Sequence, residues 1–208
     1  MNIAVLVSGG GTNLQALIDY ERQTRANAHD CPYHIVLVAS NTKKAYALQR
    51  AADAGIPAQV RSPAMVLGAA LPTATLDEKR ELVSDAMLEL CREYKVQAIV
   101  LAGYLSVLKG NIIEEYKDKI INLHPALLPK FGGVGMWGHN VHEAVLEAGE
   151  TESGCTVHIV DSGCDTGRIL VQKKVPVLPG DTPDSLYARI APEEHKAIIE
   201  ATLMLVQE

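Results

Sequence analysis

The chain has 208 residues, 48% hydrophobic and 21% charged, with Lys+Arg 19 against Asp+Glu 25 and a net charge of -6. That size suits one soluble globular domain with a substantial core, and a mildly acidic surface disfavours nucleic-acid partners, which need clustered cations. Four scattered cysteines (Cys31, Cys91, Cys155, Cys164) without a C-x-x-C pair, and no apolar run long enough for a leader or a membrane span, predict reduced thiols, a cytoplasmic location and no membrane partner.

Short apolar runs alternate with helical lengths. Ile3 to Val7 reads as a strand, a glycine cluster follows, and Asn13 to Glu21 reads as a helix. His34 to Ser40 is a second buried strand, Lys43 to Ala54 an Ala-rich helix stopping at Gly55, and Ala58 to Arg61 a third strand. Ser62 to Thr75 is rich in Pro, Ala and Gly and reads as a loop before the helix Leu76 to Tyr94. Gln97 to Ala102 and Ile120 to Leu123 are strands of the fully buried kind. This βαβ alternation predicts an α/β fold with an open, mostly parallel twisted sheet flanked by helices, in a single domain. Beyond residue 138 come a helix, Val141 to Ala148, and strands Thr156 to Val160 and Ile169 to Val177, the last near an edge because of Pro176 and Pro179. Asp181 is the expected cap of a closing helix from about Thr182, with Pro183 near its start.

Ser8-Gly9-Gly10-Gly11-Thr12-Asn13 links the first strand to the first helix. Backbone N–H groups of such a turn, backed by a helix N-terminus, form an anion site; the alternative is a plain tight turn capped by Thr12 or Asn13. A dinucleotide fingerprint requires a small residue where Leu14 stands and an acid after the second strand, where the chain reads Ala39-Ser40-Asn41. No Gly-Lys-Ser/Thr follows, so the P-loop also fails. What remains is a phosphate site without dinucleotide features.

Asn122-Leu123-His124-Pro125 closes an apolar strand, at the end where open α/β sheets place ligands. Strand alternation puts Asn122 and His124 on one face. A lone His near a core is as often structural as catalytic. Asp161-Ser162-Gly163-Cys164-Asp165-Thr166-Gly167 is a polar, glycine-punctuated loop between two apolar strands, and a carboxylate there would orient His124 and favour its imidazolium. Asn, protonated His and Asp together suit acyl transfer, as oxyanion donor, acid and proton acceptor. His139-x-x-His142 offers two metal-type ligands without a third. Trp137, the only Trp, sits in the Gly-rich loop Gly132 to Gly138 as a lid residue or a surface anchor. Cys164 lacks the setting of a thiol nucleophile, and Glu193-Glu194 either contacts a ribose or forms a charged surface with Lys196.

With these residues, the sequence resembles the folate-dependent glycinamide ribonucleotide formyltransferase family over nearly its whole length. The likeness is carried by MNIAVLVSGGGTNLQALID at the N-terminus, VLAGYLSVL at 100–108, INLHPALLPKFGG at 121–133, HIVDSGCDTGRIL at 158–170 and RIAPEEH at 189–195, in that order and spacing. The resemblance implies a Rossmann-like formyltransferase domain over 1–208. Its ribonucleotide-binding half is expected at about 1–120, and its half with folate and catalytic elements at about 121–208. Gly11, Thr12, Asn13 and Glu194 are then expected on the ribonucleotide, the first three at its phosphate and Glu194 at its ribose. Leu105, Ser106, Val107, Leu108, Asn122, Asp161 and Asp165 are expected on the folate, and Asn122, His124 and Asp165 in catalysis. The implied reaction passes a formyl group from 10-formyltetrahydrofolate to the amine of glycinamide ribonucleotide, in purine biosynthesis, by direct attack and without a metal. A monomer or homodimer is expected. Residues 62–79 depart from the family pattern, and the loop 132–140 is longer than in many relatives. The alternatives are a formyltetrahydrofolate deformylase with the same catalytic core, and a non-catalytic phosphate-ligand-binding module.

Overall fold

Residue alternation in the central strands explains why the sheet is covered on both faces. In β1 (Asn2–Val7) the side chains of Ile3, Val5 and Val7 enter one core, while Ala4 and Leu6 enter the other. Both sets are buried, so the strand reads as continuous apolar sequence. The computed structural model describes residues 1–207 and contains one seven-stranded sheet of order β3-β2-β1-β4-β5-β6-β7. The strands are β2 (His34–Ser40), β3 (Ala58–Val60), β4 (Ala98–Leu101), β5 (Ile120–His124), β6 (Glu152–Ile159) and β7 (Ile169–Pro176). Five are parallel, whereas β6 pairs antiparallel with β5 and β7 antiparallel with β6; β3 and β7 are the two edges.

On one face lie α1 (Thr12–Ala26), α2 (Ala47–Asp53), α6 (His139–Glu147) and α7 (Pro183–Leu205); on the other lie α4 (Leu76–Glu93) and the short α5 (Asn111–Glu115). The strand order reverses between β1 and β4, so the loops leaving their carboxyl ends diverge and open a crevice. Ser8 ties those two loops together: its amide donates to the Gly103 carbonyl, its hydroxyl donates to Asn41 Oδ1, and its Oγ accepts the Leu105 N–H.

Four local expectations are corrected. The segment 62–75 is not plain loop: Ser62 accepts the Met65 N–H and caps α3 (Pro63–Leu67), and a 3₁₀ turn, Gly68–Ala70, follows. The second helix starts at Ala47 rather than Lys43, because Ser40 and Thr42 hydroxyls capture the Thr42 and Lys44 amides in a turn. The sixth strand begins at Glu152, four residues before Thr156. The cap of α7 is Thr182, in a capping box with Ser185, whereas Asp181 accepts the Leu178 N–H and two Arg189 N–H bonds. The short α5 was not read from the sequence at all.

Candidate active site

The glycine loop meets α1 through Gly11, whose φ of 75° is left-handed. A Cβ on Gly11 would stand 2.6 Å from Ala47 Cβ, so both the turn and the close approach to α2 require glycine. The carbonyls of Gly9 and Gly10 accept from the Ala47 N–H and from Arg50 Nε, which fixes the loop from outside. No side chain caps α1. Its first N–H groups keep their anion-binding capacity, and the reading of Thr12 or Asn13 as a plain cap does not hold. Asn13 instead donates through Nδ2 to Glu194 Oε2 at 3.1 Å, joining the starts and ends of the chain across 181 positions. Burial pushes the Glu194 carboxyl up, opposed by that bond. Glu193 pairs with Lys196 at the surface, so the two neighbouring glutamates separate into an outer and an inner one.

At the carboxyl end of β5, Asn122 and His124 do share a face. Asn122 lies opposite His158 on β6, and its Nδ2 donates to His158 Nε2 at 3.2 Å and toward Asp165 Oδ1 at 3.5 Å. The His158 Nδ1–H donates to the Ile159 carbonyl, and its Nε2 also lies 3.4 Å from Asp165 Oδ1. His124 donates its Nε2–H to the Phe131 carbonyl at 2.7 Å and turns Nδ1 to Asp165 Oδ2 at 3.5 Å. Asp165 Oδ2 also accepts the Gly133 N–H at 3.0 Å. Residues 124 and 165, 41 positions apart in sequence, therefore meet, with Asn122 beside them. Asp165 and Phe131 both adopt left-handed backbone, φ 58° and 55°, a conformation that costs a non-glycine residue roughly 1 kcal/mol or more. Asp161 Oδ1 holds the Asp165 loop by accepting the Gly163 N–H and the Thr166 hydroxyl.

The electrostatics depart from expectation at His124. Burial pushes its pKa down, and the opposing pull of Asp165 and the Phe131 carbonyl does not restore it, while His158 lowers it further. The free site favours neutral imidazole, not imidazolium. Burial pushes the Asp165 carboxyl up, but His158, the Gly133 N–H and His124 outweigh it and hold the group below the ordinary carboxylate range.

These groups line one cleft of about 530 Å³. Its wall takes in Gly11 to Asn13 and Glu194 at one side, Leu105 to Leu108, Asp161 and Asp165 at the other, with Asn122 and His124 in the floor. Every residue expected at the site lies on it. Trp137 lines the cleft while half exposed, and Cys164 lines it as a free thiol pushed up by burial and by Asp165. His139 and His142 also face it from α6, tilted against Tyr187 of α7 rather than arranged as ligands; among the described residues no group of three or more His, Cys, Asp or Glu is placed to hold a metal.

Two residues escaped the sequence reading. His158 interrupts the apolar run Thr156 to Val160 with one polar ring facing Asn122, and that interruption was the available signal. Arg80 is the one Lys or Arg lining the cleft among the described residues, one position beyond a stretch that the family pattern left unplaced.

A family model described as formyl transferase matches residues 1–202. The chain is 43% identical over 204 residues to the Trifunctional purine biosynthetic protein adenosine-3 of Drosophila melanogaster, covering 98% of this chain and 14% of that protein. It is 36% identical over 206 residues to the chloroplastic phosphoribosylglycinamide formyltransferase of Arabidopsis thaliana, covering 99% of this chain and 65% of that one. The chain thus spans only a small part of the trifunctional relatives. Among solved structures, glycinamide ribonucleotide transformylase 1 from Symbiobacterium toebii superposes with a TM-score of 0.85 at 36% identity, over 100% of this chain and 88% of that one. The chain belongs to the formyl transferase family.

Proposed function

We propose that this protein moves the formyl group of 10-formyltetrahydrofolate onto the amine of glycinamide ribonucleotide, in the cytoplasm, as a step of purine biosynthesis. One observation carries the reading: Asn122, His124 and Asp165 converge on a cleft that has a helix N-terminus at one side and a single arginine at the other. The α1 N-terminus, with Gly11, Thr12 and Asn13, suits the dianionic phosphate. Glu194, held by Asn13, suits ribose hydroxyls. The backbone of 105–108 and of 161–165 suits the pterin edge, and Arg80 suits a carboxylate of the folate tail. Four free cysteines support the cytoplasmic assignment.

The chemistry follows from the geometry. The neutral amine attacks the formyl carbon, a C–N bond forms, and the carbonyl electrons collect on oxygen. The Asn122 amide, held only loosely to Asp165 at 3.5 Å, turns its N–H to that oxyanion. His124 is neutral in the free site; as the oxyanion forms it takes up a proton from solvent, which the negative oxygen makes favourable, and it releases that proton when the carbonyl re-forms. Asp165, kept ionised, takes the ammonium proton through water and returns it to N10 of the folate, whose C–N bond breaks as the carbonyl re-forms, so that nitrogen leaves as a neutral amine.

The test is one assay with purified protein, glycinamide ribonucleotide and 10-formyltetrahydrofolate, read by absorbance of the deformylated folate. Turnover that requires both compounds supports the reading. Formate release without the amine identifies a deformylase, and no turnover with either identifies a binding module.

A further inference from the structure

The α6 histidines are absorbed by neither the fold nor the reaction as described. His142 is 2% exposed, lines the cleft, and has an Nδ1 with no hydrogen-bond partner. A buried polar nitrogen without a partner costs about 1–3 kcal/mol, so its retention at a cleft wall points to a group that arrives with a ligand. The ring is held rather than loose. Tyr187 packs against it at 5.6 Å and His139 meets it edge-on at 6.3 Å. A half-turn about χ2 exchanges its Nδ1 and Cδ2 edges, so either edge can face the cleft.

Its neighbours say which part of a ligand it meets. Tyr187 and Glu194 are seven residues apart on α7, two turns along one face, or roughly 10 Å. His142 is also close enough to His124 for charge on one ring to disfavour charge on the other. His142 thus shares one cleft with His124 in the floor, where the reacting amine must sit, and, through Tyr187, adjoins the helix that carries Glu194, which suits the ribose. In glycinamide ribonucleotide the group between amine and ribose is a neutral amide, with one N–H and one carbonyl. A neutral imidazole offers the complementary acceptor and donor.

We propose that His142 is a substrate-binding residue that hydrogen-bonds the glycinamide amide of the ribonucleotide. The inference rests on the formyl-transfer reading above. It makes His142 a determinant of specificity for an aminoacyl-amide arm against a bare ribose phosphate.

The experiment compares His142→Phe, which keeps the ring stack on Tyr187 and removes both nitrogens, with His142→Gln, which restores an amide donor and acceptor. The expected result for His142→Phe is a KM for glycinamide ribonucleotide raised about tenfold, the worth of one neutral hydrogen bond. The KM for 10-formyltetrahydrofolate should stay within twofold, and His142→Gln should recover part of the loss. In the unaltered enzyme labelled with ¹⁵N-histidine, the His142 ring resonances should move on adding glycinamide ribonucleotide and stay in place with ribose 5-phosphate. This measurement stands even if the Phe variant does not fold. An unchanged ribonucleotide KM, an equal rise in both KM values, or ring resonances that ignore the ribonucleotide overturns the proposal. Absence of turnover in the unaltered enzyme overturns the parent reading instead, so the two failures are distinguishable.

Discussion

Acid stability reports directly on the burial of His142. The ring is held down to about 4 by burial first, then by the neighbouring His139 and His124 rings, which disfavour a further charge, against an ordinary value of 6.5. A folded pKa below the unfolded one means that the unfolded chain binds the extra proton first. The contribution to stability is therefore complete above about pH 6.5 and is lost as pH falls toward 4. From those two values one such site removes about 2 kcal/mol by pH 5 and about 3 kcal/mol by pH 4. For a chain of this size 1 kcal/mol corresponds to roughly 2–4 °C in Tm, so His142 alone accounts for about 4–8 °C between pH 7.5 and pH 5. Scanning calorimetry on the unaltered protein and on His142→Phe, each at both pH values, measures it. His124 and His195 are also held low and act in the same direction in both proteins, so they cancel in the comparison. An equal pH-induced fall in the two proteins would refute the reasoning.

Asn122→Ala and His124→Ala should each lower kcat, by about 10²–10³ for the lost oxyanion donor and about 10²–10⁴ for the lost acid, while isothermal titration still detects folate. Near-normal turnover in either removes it from the mechanism. Asp165→Asn keeps the Gly133 N–H bond but leaves only the Phe131 carbonyl to oppose the burial of His124, so kcat should fall and the alkaline limb of its pH profile should move to lower pH; a limb that does not move detaches Asp165 from His124. The Asp165 carboxyl is itself held below 3.8, so any stability it adds over Asn should be present above that pH and vanish in stronger acid, as urea titrations at pH 6 and pH 2.5 would register. Gly11→Ala places a methyl 2.6 Å from Ala47 Cβ at a left-handed φ and should cost about 2–4 kcal/mol, with a weakened ribonucleotide KM; an unchanged Tm would show that the α1–α2 contact yields freely.

The parts of the fold with strong periodicity were legible. The strands at residues 3, 34, 98 and 120 fall where apolar runs put them, because burial on both faces leaves little choice of residue, and the more exposed edge strands at 58 and 169 were legible as well. The segment 62–75 misled because Ser62, Pro63 and the alanines that follow serve a one-turn helix as well as they serve a loop. The adjacency of Asn122 and His124 was readable from alternation, but their meeting with Asp165 needed the antiparallel turn of β6, which no local pattern encodes. The charge state of His124 was misjudged for a related reason. A carboxylate nearby argues for imidazolium, whereas the depth of burial, a property of the assembled fold, argues against it and wins. His158 and Arg80 were hidden because each is an ordinary residue in its own element and gains meaning only through what faces it across the cleft.

The bond between Asn13 and Glu194 also bears on how the molecule comes into being. It fastens the first helix to the last, so the Glu194 side of the cleft is finished only when α7 has docked on α1. Contacts this distant along the chain form late and slow the search for the native state. The floor of the cleft draws instead on β5, β6 and the loop to residue 165, segments that lie close together in sequence. Loosening α7 would take Glu194 out of the cleft and also uncover β6 and β7, on which the same helix packs, so neither side of the site would outlast its undocking.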